Sequence, residues 1–227
     1  MVMNSDLRQV GVLGGLGVRP ALRLPGVGRR VLAYLAIHHS IADRTLMCGR
    51  LWPDLTESRA RANLRRALWQ LPPGWVVSAG GDLALDAEVD LDRARNAAES
   101  AMNAGHLDVE QVELLTRDLL PGWYDDWVMA EQEQFHLWRI QALEAVSRSS
   151  AETGDHALAT RAALSAVCAE PLRESAVTAL VEAHLNEGNL FEAVRRYQSY
   201  ASLLKTELDV EPGQHLTGLV HDYRKRA

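Results

Sequence analysis

A repeated pattern in the C-terminal half of the chain restricts its fold more than any other sequence feature. Two glycine-led pairs, Gly154-Asp155 and Gly188-Asn189, lie 34 residues apart. Small or aromatic residues follow both pairs at the same offsets: Ala159, Ala163 and Ala166 after the first, and Ala193, Tyr197 and Tyr200 after the second. A period of about 34 residues is typical of helical hairpins that stack side by side. The pattern therefore predicts paired antiparallel helices, with Gly154 and Gly188 at equivalent turns.

The residues around this repeat extend the helical pattern toward both ends. The first helix of the second hairpin is predicted to be buried through Val177, Leu180, Val181 and His184. A weaker copy of the repeat is predicted to open at Gly105, and a last helix is expected over about Gln214–Arg224. We therefore expect residues 89–227 to form an all-α domain.

The segment Leu119–Gln134 breaks the 34-residue rhythm. Trp123, Trp127 and the following Trp138 would lie on nearly one face if this stretch were helical. Two interpretations stay open: the tryptophans seal the junction between repeats, or their surface binds a partner, with Asp125 and Asp126 on a polar rim.

The first 86 residues change character every few positions, which predicts a small α+β domain. Short strands are predicted at Gln9–Leu13 and Leu16–Leu24. Three helices follow: Arg29–His38; a helix from the N-cap Asp43 to Leu51, with Leu46, Met47 and Leu51 inward; and Glu57–Leu71, capped by Thr56. Trp75–Ser78 and Leu83–Leu85 flank Ala79-Gly80-Gly81-Asp82, which indicates a β-hairpin.

Charge divides the chain in nearly the same place. Residues 1–86 contain eleven arginines and six acidic residues, a net charge of +5, whereas the rest of the chain has a net charge of −11. A basic part joined to an acidic part suggests one region that binds an anion and another that contacts protein.

Motifs that would indicate catalysis are missing from the sequence. No Walker A or G-x-G-x-x-G sequence occurs, and the glycines of Gly11–Gly17 are better explained by a tight turn. The pair His38-His39 has no third ligand nearby and is interpreted as a helix end, and the two cysteines do not have zinc-site spacing. We therefore predict a cytoplasmic protein that is not an enzyme and has no metal, cofactor or membrane segment.

The third predicted helix is the most informative element for function. Its apolar face is Ala60, Leu64, Ala67, Leu68 and Leu71, and four arginines fall on or beside the opposite face, none followed by an acid four residues later. Such a strip of unpaired cations can enter a DNA major groove, and a following hairpin can contact the backbone as a wing. The predicted DNA-binding residues are Arg59, Arg61, Ala62, Arg65, Arg66, Trp69 and Gln70 on the helix, and Ser78 and Gly80 on the hairpin.

Several longer motifs resemble those of the actinobacterial antibiotic-regulatory type of transcriptional regulator. In the basic part these are Gly28-Arg29-Arg30-Val31-Leu32-Ala33-Tyr34-Leu35-Ala36, Leu51-Trp52-Pro53-Asp54, the helix Arg59–Leu71, and Val89-Asp90-Leu91-Asp92. In the helical part they are Leu120-Pro121-Gly122-Trp123, Asp126-Trp127 and Leu208-Asp209-Val210-Glu211-Pro212-Gly213.

The resemblance covers almost the whole chain and implies a mainly α fold. An OmpR-like winged helix over residues 1–88, α+β with a β-hairpin wing, would precede a bacterial transcriptional activator domain built as an all-α, tetratricopeptide-like repeat over residues 89–227. It implies binding to DNA repeats near promoters, self-association as a homodimer, and activation through RNA polymerase.

The sequence departs from that family in the DNA-binding part. Pro72-Pro73 ends the third helix early, Trp69 stands where a polar or basic residue is common, and the hairpin turn contains no cation. An alternative function therefore stays open, in which the chain is a protein-interaction adaptor whose winged helix no longer binds DNA.

Overall fold

The structure is a computed structural model that describes residues 8–38, 41–103 and 106–226. Two compact units make up the chain. The first unit comprises the residues up to Ala94 together with the later segment Arg117–Phe135. The second unit comprises Arg95–Thr116 and the residues from His136 onward.

The first unit contains two three-stranded sheets and three complete helices within its described residues. Its elements are β1 (Gln9–Gly11), β2 (Gly17–Arg19), α1 (Gly26–Ile37), β3 (Ile41–Asp43), α2 (Arg44–Leu51), α3 (Glu57–Gln70), β4 (Val76–Ala79), β5 (Asp82–Leu85) and β6 (Glu88–Val89). β1 lies between an antiparallel β2 and a parallel β6, and the second sheet has the antiparallel order β3-β5-β4. The predicted order of strands, three helices and a hairpin is confirmed.

The strands differ from the prediction in number and length. β3 and β6 have three and two residues, too few to give an alternating pattern in the sequence. β1 ends at Gly11 because the next two backbone N–H groups, of Val12 and Leu13, donate to the Asp90 carboxylate at 2.8 and 3.1 Å. Burial raises the pKa of the Asp90 carboxyl, while hydrogen bonds from backbone N–H groups act in the opposite direction.

Asp90→Ala is expected to lower the free energy of unfolding by about 1–3 kcal/mol, because buried N–H donors would be left unsatisfied. Val12 and Leu13 are both buried, so water cannot readily replace the carboxylate. Urea denaturation of the full chain measures the change. Asp54→Ala, which removes the same charge from an exposed position of this unit, serves as the control. Equal stability of the two variants would contradict the assignment.

The helices of the first unit pack around α1, whose residues from Val31 to Ile37 are all buried. Met47 and Leu51 of α2 are buried as predicted, but Leu46 is 58% exposed, so its predicted inward orientation is wrong. Asp43 caps α2 by accepting a hydrogen bond from the Leu46 N–H at 2.7 Å. Thr56 occupies the N-cap position of α3 without making a capping hydrogen bond, and its hydroxyl instead lies 3.3 Å from that of Ser58.

Among its described residues, the second unit contains helices joined by turns and no strand. α4 (Asp90–Met102) and α6 (Asp126–Glu152) begin in the first unit and end in the second. The others are α5 (Val109–Leu115), α7 (His156–Ala169), α8 (Glu174–Asn186), α9 (Leu190–Leu208) and α10 (Gln214–Arg226). Among the described residues, no helix is long and apolar enough to span a bilayer.

The two predicted repeat turns have the same backbone geometry. Gly154 and Gly188 have φ values of 82° and 81°, a left-handed conformation that glycine adopts without strain. The next residue in each case donates its N–H to a carbonyl five residues earlier, at 2.9 Å from Asp155 and 2.8 Å from Asn189. The same two side chains cap α7 and α9. This shared geometry confirms the 34-residue repeat.

The helical core also follows the predicted positions. Ala159, Ala163, Ala166 and Ala193 are fully buried, and α8 is buried along most of its length, including His184. One cluster joins side chains of α8, α9 and α10, and a smaller one places Ala163 against Ala179 and Leu180. The weaker copy predicted to open at Gly105 lies outside the described residues at that position.

The tryptophans of Leu119–Gln134 do not form one helical face, because Trp123 precedes the first residue of α6. Trp127 is buried within the first unit, where its ring centroid lies 5.3 Å from that of Tyr34 and 6.2 Å from that of Trp123. The Asp125 carboxylate, predicted to lie on a polar rim, forms a 2.7 Å ion pair with Arg30 of α1. The prediction that the tryptophans seal a junction between repeats is therefore wrong for Trp127, because it belongs to the core around α1.

Candidate nucleic-acid interface

α3 presents a buried face to the first unit and an exposed face to solvent. Ala60, Leu64 and Ala67 are buried on one side, next to α1 and α2. The predicted DNA-binding residues of this helix all lie on exposed positions: Arg59, Arg61, Ala62, Arg65, Arg66, Trp69 and Gln70. The structure thus brings the predicted helical residues together on one accessible surface.

One of the four arginines on this exposed surface forms an ion pair, although the sequence predicted that none of them would. Arg61 forms a 2.7 Å ion pair with Glu57, four residues earlier, and donates a 3.2 Å hydrogen bond to the Thr45 hydroxyl of α2. Within the described part of the chain, no ion pair is found for Arg59, Arg65 or Arg66. Arg61 therefore helps to hold α3 against α2, and the other three remain available to an anion.

The hairpin of β4 and β5 supplies the two remaining predicted residues. Gly80 has a φ of 64° at the turn, with open space around it, so the turn can approach another molecule closely. Ser78 is exposed on β4, and its hydroxyl accepts a 2.8 Å hydrogen bond from Nη2 of Arg44. Nε of the same arginine donates to the Gly81 carbonyl at 3.1 Å.

Arg44 is the functional candidate that sequence reasoning missed. The hairpin turn has no cation of its own, but this arginine at the start of α2 provides one beside it. Arg44 lies against the hairpin because the residue before it, Asp43 of β3, pairs with Asp82 of β5. That pairing could not be recognised from a three-residue strand.

A cleft of about 550 Å³ lies between the start of α2, α3 and the hairpin turn. It is lined by Asp43, Arg44, Thr45, Ser58, Arg61, Leu64, Arg65 and Gly81. The lining includes three arginines, two residues with hydroxyl groups and one acidic residue. The guanidinium groups of Arg44 and Arg61 also make contacts within the unit. Arginine forks and hydroxyls are the groups that bind phosphate oxygens in protein–DNA interfaces, so the cleft is suited to a phosphate of a nucleic-acid backbone.

The other side chains considered from the sequence have structural explanations. The His38 ring stacks on Tyr34 at 4.1 Å and its Nδ1 lies 2.9 Å from the Tyr34 carbonyl oxygen, which places it at the end of α1; His39 lies outside the described residues. Burial raises the pKa of the Cys48 thiol. No metal-binding group of three side chains occurs among residues 8–38, 41–103 and 106–226.

Comparison with a solved structure identifies the fold. The chain is similar to Mycobacterium tuberculosis EmbR, solved in complex with a low-affinity phosphopeptide, with a TM-score of 0.62 and 19% identity. The similarity covers 96% of this chain and 65% of that one, so this chain spans less than two thirds of the EmbR chain. At this identity the similarity establishes the fold alone: mainly α, with small N-terminal sheets followed by a helical part.

Comparison with curated proteins found no match. The family description "bacterial transcriptional activator domain" matches residues 84–223, well over half of the chain. This match includes both repeat turns and the described helices from α4 to α9. The chain therefore belongs to the bacterial transcriptional activator domain family.

Proposed function

We propose that this protein is a sequence-specific DNA-binding transcriptional regulator that activates transcription through RNA polymerase. In this proposal residues 1–88 bind DNA and residues 89–227 contact protein. The observation that carries the proposal is the exposed face of α3, which presents the cations Arg59, Arg65 and Arg66. Beside it lies the β4–β5 hairpin, which Arg44 of α2 holds through two hydrogen bonds.

The geometry supports a division of roles between the parts of this surface. An α-helix fits the major groove of B-DNA, where arginine can form two hydrogen bonds to a guanine edge. We assign base contacts to Arg65 and Arg66. The other residues of the cleft beside α3, and the hairpin around Ser78 and Gly80, would bind phosphates and fix the register of the helix.

The length of the α3 surface favours a DNA site composed of two repeats. From Ala62 to Trp69 the helix rises about 10 Å, which corresponds to about three base pairs at about 3.4 Å each. Contacts to so few base pairs give little discrimination against a genome of competing sites. We therefore propose that two copies of the chain bind repeated half-sites as a homodimer.

The second unit fits the protein-contacting role. Its residues, 95–116 and 136–227, have a net charge of −5, which disfavours contact with the DNA backbone and leaves their surface free for protein contacts. Stacked helical hairpins offer extended surfaces for such contacts. Membership of a transcriptional activator family supports RNA polymerase as the partner.

The double substitution Arg65→Ala/Arg66→Ala tests the proposal. Specific affinity is expected to fall at least about 30-fold, because each arginine–base pairing is worth about 1–3 kcal/mol. The measurement is fluorescence anisotropy with a duplex that the full chain has selected from a random library, repeated over a range of salt concentrations. If the arginines bind phosphates instead, the slope of log affinity against log salt shrinks by about 1 for each phosphate that is no longer neutralised.

Arg23→Ala/Arg29→Ala is the matched control, because it removes two exposed arginines from the same unit but outside α3. This control is expected to retain sequence discrimination. Equal losses of affinity in the two double variants would show that total charge, not the α3 surface, determines binding. Failure of the full chain to select any duplex would favour the adaptor alternative.

A further inference from the structure

Trp69 is the most exposed large apolar side chain among the described residues. It lies in the last turn of α3 and is 92% exposed. Single exposed apolar residues are common on protein surfaces, so exposure alone indicates nothing. Its position is more informative, because Ala62, Arg65, Arg66 and Trp69 follow one another at spacings that place them on one face of the helix.

Charge complementarity identifies the molecule that this face can meet. Arg65 and Arg66 lie four and three residues before Trp69, about one helical turn away. A second copy bound through this face would bring like charges together, whereas a DNA duplex neutralises them. The occupant that fits an indole set among arginines is therefore DNA, and an indole within such a strip faces the bases or the sugars.

We infer that Trp69 is a specificity-determining residue that recognises thymine through the C5-methyl group. This inference rests on the proposed DNA-binding function and deepens it. Thymine presents its methyl group in the major groove, where apolar side chains contact it and distinguish thymine from the other bases. The indole supplies a large apolar surface at a low cost in conformational entropy.

The small Ala62 makes this arrangement sterically possible. Ala62 lies two turns before Trp69 on the same face and is exposed, so the helix is narrow at one end of the strip and wide at the other. The bulky indole can then fill the major groove at the C-terminal end of α3. Arg65 and Arg66 contact the base pairs that lie between the indole and Ala62. Recognition of thymine is thus expected at one edge of each half-site.

The test replaces each thymine of the selected duplex in turn with deoxyuridine, which removes the methyl group and retains base pairing. For the wild-type full chain, deoxyuridine at one or two positions at the edge of the site is expected to weaken binding about three- to fivefold, the effect of burying one methyl group. Trp69→Ala is expected to bind the thymine and deoxyuridine duplexes equally well. Trp69→Phe is expected to retain part of the difference.

Tyr124→Ala is the matched control, because Tyr124 is an aromatic residue of the same unit that is 82% exposed outside α3. It is expected to discriminate against deoxyuridine as the wild type does. Circular dichroism checks that each variant is folded, which is expected because neither side chain is buried.

Three outcomes would overturn the inference. Wild-type affinity that is unchanged by every deoxyuridine substitution would show that no methyl group is recognised. Undiminished discrimination by Trp69→Ala would assign the recognition to another residue, and if that variant also failed to dimerise in sedimentation, the indole would belong to an interface between copies. Failure to select any duplex would overturn the proposed function together with this inference, whereas the first two outcomes leave the proposed function intact.

Discussion

Replacing Trp127 with alanine is expected to lower the free energy of unfolding by about 3–5 kcal/mol, the usual cost of truncating a large buried aromatic side chain. Its indole is 3% exposed and lies among the rings of Tyr34, His38 and Trp123. Removing it leaves a cavity beside α1, the helix around which the first unit packs. Urea denaturation of the full chain, followed by circular dichroism, measures the loss of stability.

Two further variants make this prediction specific. Trp127→Phe is expected to cost less than the alanine variant, because the phenyl ring retains part of the packing. The indole N–H is buried without a hydrogen-bond partner among the described residues, so removing it carries no penalty of its own. Tyr124→Ala, from the same segment but exposed, should leave stability nearly unchanged. If Trp127→Ala also left it unchanged, the aromatic cluster would not be part of the stabilising core.

The result would also show how the segment Arg117–Phe135 contributes to the first unit. The Gly14 N–H donates to the Asp118 carbonyl, and the Leu120 N–H donates to the Val12 carbonyl, both at 2.8 Å. The Gln132 side-chain amide donates to the Leu119 and Leu120 carbonyls. These hydrogen bonds fix a segment distant in sequence against the first strands, so a loss of stability on mutating Trp127 would be a loss of the N-terminal fold.

The parts of the fold that the sequence predicted are those governed by local periodicity. The buried positions of a helix recur every three or four residues, so the sequence of α3 and of the two repeat hairpins shows a periodic apolar pattern that predicts these helices. A turn that requires a left-handed residue is visible as a glycine, as at Gly154 and Gly188. These signals depend on neighbouring residues only.

The parts that were missed depend on pairing between distant residues. β6 has two residues and becomes a strand because it pairs with β1 through Gln9 and Val10. The position of the tryptophan segment in the sequence suggests either a junction between repeats or a partner surface, whereas Trp127 packs against Tyr34, 93 residues earlier. Single-sequence patterns contain no information about such pairs.

The candidate interface shows the same limit. Helical periodicity predicted that Arg65, Arg66 and Trp69 share an exposed face, and the structure confirms it. The role of Arg44 was not predictable, because its two hydrogen bonds reach residues 34 and 37 positions away. The pairing of Arg61 with Glu57 is compatible with the sequence, since the acid lies one helical turn before the arginine.

Ala163→Arg is expected to lower the free energy of unfolding by at least about 3 kcal/mol, because it overpacks a helix crossing and buries a charge without a partner. Ala163 is fully buried on α7 and packs against Ala179 and Leu180 of α8. A side chain larger than alanine at this crossing would force the two helices apart.

The neighbouring substitution Leu164→Arg is the control, because Leu164 lies on the exposed side of the same helix and its replacement introduces the same charge. We expect thermal denaturation to show a much lower melting temperature for Ala163→Arg than for Leu164→Arg; similar values would mean that close approach of α7 and α8 does not stabilise the repeat.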